Sequence, residues 1–74
     1  MMYVRISPPW IEISDSYTED SSTYTIRIDD IVAVYDKSDS VYNYGILTRY
    51  NGWISNIDRD SLRMLKGYMM SGKV

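Results

Sequence analysis

Apolar and polar residues alternate with a period of two in several short stretches of the chain, and the period lengthens to that of a helix near the carboxyl end. In "MYVRI" Val4 and Ile6 share one face, and in "WIEI" Ile11 and Ile13 do the same. Ser7-Pro8-Pro9 separates these two strands, because neither proline can donate to a ladder. "YTIRI" puts Tyr24, Ile26 and Ile28 on one side and Thr25 and Arg27 on the other. Between them, "SDSYTEDSSTY" is polar and net acidic with no apolar spacing, which predicts a flexible acidic loop over about 14–23.

Two hairpins follow. "IVAVY" (31–35) and "VYNYGIL" (41–47) flank the polar "DKSDS", and Gly45 inside the second strand predicts a bulge or a closely packed neighbour. In "ILTRYNGWIS", Asn51-Gly52 supplies the two positive-φ positions of a type I′ turn between Ile46–Tyr50 and Trp53–Ile57. Tyr50 and Trp53 would then face each other across the strands, a pair worth about 0.5–1 kcal/mol.

Adjacent Asp29 and Asp30 stand between "YTIRI" and "IVAVY". In one straight strand Asp30 would join Ile26, Ile28, Val32 and Val34 on the buried face, at a cost of about several kcal/mol for an unpaired carboxylate. Side chains of neighbouring strand residues also point to opposite faces, so the two cannot converge on one proton or ion. The pair is therefore expected to mark a bend.

Beyond it, Leu62, Leu65 and Met69 recur at i, i+3 and i+7, flanked by Met64 and Tyr68. Asp58 or Asp60 suits the amino cap of this helix, Lys66 and Lys73 its carboxyl end, and Gly72 its stop. The expected fold is a single small α+β domain: an antiparallel β-meander sheet of four to five strands with one C-terminal α-helix packed on it.

Composition narrows the chemistry. The 74 residues include no cysteine and no histidine. Disulfides, cysteine-based zinc sites and Ser-His-Asp or Cys-His catalysis are excluded, and a reducing, cytoplasmic setting is expected. No metal or other cofactor and no catalytic residue is assigned. Asp15, Glu19 and Asp20 lack the glycine and alternating ligands of a calcium loop. The longest apolar run, 31–35, is too short to span a bilayer, and "MMYVRISPPW" has no signal-peptide pattern. Charge is uneven: residues 1–48 hold three cations against eight anions, and residues 49–74 five against two. Such a dipolar chain favours charged partners or self-association.

The residues Ile28, Asp29, Asp30, Ile31, Thr48, Gly52, Ser61, Leu62 and Leu65 follow a strand entry, a hairpin with a glycine turn and a short helix. In this the run from Ile26 to Met69 resembles the carboxyl half of LytTR-type DNA-binding domains and the short flagellar FlbD-like proteins. The resemblance implies the β-to-α topology. The basic loops of the DNA-binding version are missing, since "DKSDS" is net acidic.

Eight tyrosines and two tryptophans, with no phenylalanine, exceed what so small a core can bury. Tyrosine and tryptophan offer large contact area at low entropic cost. The sequence reading is thus a non-enzymatic protein–protein interaction module, an accessory or inhibitory protein of the kind phages and mobile elements carry. Its expected contacts are Tyr42, Tyr44, Tyr50 and Trp53, with Tyr17, Glu19 and Asp20 as an acidic flank, and a free sheet edge could support a homodimer. The alternative is a nucleic-acid-binding regulator using Arg49, Arg59, Arg63 and Lys66.

Overall fold

The computed structural model describes residues 1–15, 22–38 and 43–72. Strands β1 (Tyr3–Ser7), β2 (Trp10–Ser14) and β3 (Ser22–Arg27) form one antiparallel sheet in that order. Strands β4 (Ile31–Ser38), β5 (Asn43–Thr48) and β6 (Gly52–Ile54) form a second. Helix α1 (Arg59–Gly67) follows and runs into a π-helical turn, Tyr68–Gly72. The class is α+β, but six strands in two three-stranded sheets replace the expected single sheet of four to five.

The division falls at the two aspartates. Ile28–Asp30 form one 3-10 turn, with Ile28 buried, Asp29 exposed and Asp30 half-buried. The bend expected there is present, and it carries the chain out of one sheet into the other. Two backbone bonds hold the corner: the Ile28 N–H donates to the Pro9 carbonyl at 2.9 Å, and the Arg49 N–H donates to the Asp30 carbonyl at 2.8 Å. Arg27 reaches Asp29 at 3.8 Å, a surface pair of small energetic weight.

Pro8 and Pro9, joined by a cis peptide bond, make the β1–β2 turn. The segment expected as a loop over 14–23 is trimmed at both ends, because β2 runs to Ser14 and β3 begins at Ser22. Cross-strand pairing takes up residues whose polarity alone reads as loop; 16–21, including Tyr17, Glu19 and Asp20, lie outside the described residues.

The hairpin over 46–57 also differs from expectation. Register pairs Leu47 with Trp53 and Thr48 with Gly52, so Arg49, Tyr50 and Asn51 form a three-residue turn. Gly52 takes φ +69°, whereas Asn51 is not in the left-handed region, so the turn is not type I′. The Thr48 hydroxyl decides this: it accepts from the Asn51 N–H at 3.1 Å and donates to the Gly52 carbonyl at 2.9 Å. Tyr50 consequently sits in the turn and does not oppose Trp53.

β4 contains two irregularities. Ile31 pairs with Thr48 and Ala33 with Leu47, leaving Val32 as an extra, 59% exposed residue. This bulge lets Ile31 reach the core and Val34 pack against it. Further on, Asp36 and Lys37 face Tyr44 alone, and Tyr44 takes φ 45°.

One core joins both sheets to the helix: Val4, Ile11, Ile13, Ile26 and Ile28 from the first half, Ile31, Ile46, Ile54 and Ile57 from the second, and Leu62 and Leu65 from α1. Isoleucine dominates because strand geometry accommodates β-branching. Helix α1 packs on β1 of one sheet and on β4 and β5 of the other. Asp58, one of the two expected caps, fills the role, its carboxylate accepting from the Ser61 N–H at 3.0 Å. Lys66 meets Asp36 at 3.5 Å, so it braces α1 against β4. α-Helical bonding ends at Gly67, and the π-helical turn carries the helix on to Gly72, the expected stop.

Candidate interaction surface

Among the described residues no tyrosine or tryptophan is fully buried, so every aromatic ring described has some contact with solvent. Where they lie follows from the outer face of each sheet.

Directly paired strand residues share a face. On the first sheet the core-facing set is Val4, Ile11, Ile13 and Ile26, which leaves Arg5 opposite Glu12 and Trp10 opposite Arg27 on the outside. Arg5 and Glu12 approach to 3.9 Å, and the Arg27 guanidinium stands 5.5 Å from the centre of the Trp10 ring. This outer face is dominated by charged side chains, with Trp10 exposed at its end.

The second sheet is different. Ile46, Thr48 and Ile54 face the core, so the alternating set Ala33, Tyr35, Gly45, Leu47 and Trp53 forms the outer face. Ala33, Tyr35, Leu47 and Trp53 are half-buried, and none belongs to the shared core. Tyr35 and Trp53 meet edge to face, with ring centres 5.4 Å apart and planes at 72°. The indole lies across Gly45, where an added Cβ would come within 2.8 Å of Trp53 Cζ2 and 2.9 Å of Cη2 and would collide with the Ile54 carbonyl oxygen. Gly45 is therefore the close-packing glycine its strand position predicted, and the ring above it explains why. The result is an apolar, aromatic patch about three strands wide.

The expected contact residues divide among several places. Trp53 is central to the outer patch. Tyr50 is 76% exposed at the β5–β6 turn, where it lines a concavity of about 300 Å³ with Trp10, Arg27, Asp30 and Asn51. Tyr44 packs toward the core, and its carbonyl accepts from the Ile57 N–H at 2.8 Å. It lines a second concavity of about 340 Å³ with Met1, Asn43 and Asn56. Tyr42, Tyr17, Glu19 and Asp20 fall outside the described residues. Tyr44, Tyr50 and Trp53 thus do not make one surface.

Tyr35 and Leu47 join Trp53 without having been singled out in the sequence. Gly45 carried the signal, but identifying its neighbours requires the bulged register of β4 on β5. Of the alternative basic set, Arg59 and Arg63 are exposed on α1, Lys66 is engaged by Asp36, and Arg49 stands apart in the β5–β6 turn. Among the described residues no group of three acidic side chains is placed to hold a metal ion, and no helix is long and apolar enough to cross a membrane.

Comparison of the chain with protein-family models, with curated proteins and with solved structures finds no match.

Proposed function

We propose that this protein is a small, non-enzymatic interaction module that binds a partner protein through the outer face of its second sheet, centred on Tyr35, Leu47 and Trp53. The observation that carries the reading is the contrast between the two outer faces. One carries charged side chains, Arg5 with Glu12 and Arg27 beside the exposed Trp10, whereas the other presents an edge-to-face aromatic pair beside Leu47 and Ala33 with no charge among them. Half-exposed Trp and Tyr around aliphatic neighbours are the residue types that dominate binding energy in protein interfaces. Tyr50, in the turn of the same hairpin, lies apart from this patch beside Trp10 and Arg27, and the net negative charge of the chain favours a partner with basic character. The absence of cysteine fits work in a reducing, cytoplasmic setting as an accessory or inhibitory protein.

The test compares capture of partners from the native host by the wild-type chain and by Trp53→Ala and Trp10→Ala variants, each verified as folded by circular dichroism. Loss of a defined partner with Trp53→Ala and retention with Trp10→Ala supports the reading. Equal capture by all three refutes the assigned face. The nucleic-acid alternative draws on the exposed Arg59 and Arg63; it requires duplex binding that weakens steeply with salt and fails when both become Ala.

A further inference from the structure

β1 is an outer strand of the first sheet, and its edge is closed along only part of its length. Backbone groups of an antiparallel strand alternate between the paired neighbour and the opposite side. The outward-facing residues here are identified by their bonds. The Met2 N–H donates to the Asn56 carbonyl and the Met2 carbonyl accepts from the Asp58 N–H, both at 2.7 Å. The Val4 N–H then donates to Ser61 Oγ at 3.2 Å. Residues 56–58 therefore begin a parallel neighbour of β1, through the Met2–Ile57 bridge, and leave it after one bridge to enter α1. Ser61 Oγ stands in for the next acceptor that such a strand would have supplied.

By the same alternation the Val4 carbonyl and both backbone groups of Ile6 point outward beyond that last bond. Among the described residues they have no backbone partner across this edge. Alongside runs a groove of about 470 Å³ between β1 and the first turns of α1, lined by Val4, Ile6, Ser61, Met64 and Asp60. Ile6 is half-buried and Met64 is 48% exposed, which gives the groove an apolar wall with an adaptable thioether. Its charge is acidic in effect. Arg5 also lines the groove but pairs with Glu12 at 3.9 Å, against two aspartates, of which Asp58 caps the helix and Asp60 is exposed and in no ion pair among the described residues.

We propose that this edge accepts an extended peptide segment of a partner protein, added to β1 as the strand that residues 56–58 begin and abandon. Its backbone bonds the Val4 carbonyl and the Ile6 N–H and carbonyl, an apolar side chain lies against Ile6 and Met64, and a cationic side chain meets Asp60. Strand addition of this kind takes affinity from main-chain bonds and selectivity from alternate side chains. A second copy of β1 fits less well. Antiparallel pairing about Ile6 sets Val4 against Pro8 of the other copy, which has no N–H, so the ladder stops after one residue pair.

The site is separate from the Tyr35–Trp53 face, so its failure leaves that reading standing. The probe is a synthetic heptapeptide that alternates valine and threonine and ends in lysine, titrated into nitrogen-15-labelled full chain. Exchange of the Ile6 amide should slow about tenfold or more at saturation. Met64→Asp and Asp60→Lys, both at exposed helix positions, should each raise the dissociation constant about tenfold with native spectra retained. Trp53→Ala should bind as the wild type does. Absence of binding at millimolar peptide overturns the proposal, as do shifts confined to the Trp53 face. Protection of Ile6 that appears without peptide and grows with protein concentration overturns it too, in favour of a second copy.

Discussion

Replacing Gly45 with Ala probes the outer patch where it is tightest. The added methyl would meet two kinds of obstacle. One is the indole of Trp53, with Cζ2 at 2.8 Å and Cη2 at 2.9 Å; the other is the Ile54 carbonyl oxygen, nearer still. A side-chain ring can rotate away, at the loss of its contact with Tyr35, which is worth about 0.5–1.5 kcal/mol. The carbonyl belongs to the backbone of β6 and can move only if β5 and β6 separate, which disturbs the buried Ile46–Ile54 pair. Overpacking of this sort costs about 1–3 kcal/mol. The combined expectation is a loss of about 2–4 kcal/mol. At about 0.05–0.15 kcal/mol per residue, the whole chain has only about 4–11 kcal/mol to lose. The measurement is the urea midpoint followed by far-ultraviolet circular dichroism, with the folded and unfolded baselines fitted for each variant. Combining Gly45→Ala with Trp53→Ala should recover the part due to the ring and leave the part due to the carbonyl, a non-additivity the double-mutant cycle reads directly. A Gly45→Ala protein within about 0.5 kcal/mol of wild type, a change typical of a neutral surface site, would refute the close approach and the patch built over it.

Three further outcomes follow from the helix and its supports. Ser61→Ala strands the buried Val4 N–H and should cost about 1–3 kcal/mol by the same denaturation assay, more than expected of a small helix-favouring change. Gly67→Ala places a methyl in open space on a helical residue and should stabilise by about 0.5–1 kcal/mol, raising the urea midpoint. Leu65→Ala opens a cavity where the helix meets both sheets and should cost about 2–5 kcal/mol, read as a lowered thermal midpoint.

Much of the architecture was legible because local chemistry and tertiary packing agree. The alternation around Ile11, Ile13 and Ile26 identifies strand faces, the Leu62–Leu65 spacing identifies the helix, and the Asp29-Asp30 pair marks a corner. What escaped depends on register. Nothing in the residues around Asp29 states that the strands on either side join different neighbours, so one sheet was expected where two exist. Thr48 illustrates a second limit. Asn51-Gly52 favours a two-residue turn, but the Thr48 hydroxyl bonds both the Asn51 N–H and the Gly52 carbonyl and draws a longer turn around itself. That choice moved Tyr50 out of the pair with Trp53 and left Tyr35, ten residues from Gly45 in sequence, as the indole's neighbour. The contact set mixed residues that the fold sends to opposite sides: the β5–β6 register pairs Trp53 with Leu47, whereas Tyr44 lies on the Ile46 side of β5 and packs toward the core.

The bonds from Met2 to Asn56 and Asp58 and from Val4 to Ser61 tie the first strand to the last quarter of the chain. Contacts of such long sequence separation form late, because a large loop must close before any of them contributes. During synthesis β1 leaves the ribosome before Ile57 and the cap of α1, and its edge waits unpaired until they emerge. Folding of this chain is accordingly an end-to-end event. Removing the residues after Asn56 should leave the first hairpin with an exposed edge and a bare apolar face, a fragment that aggregates more readily than it folds.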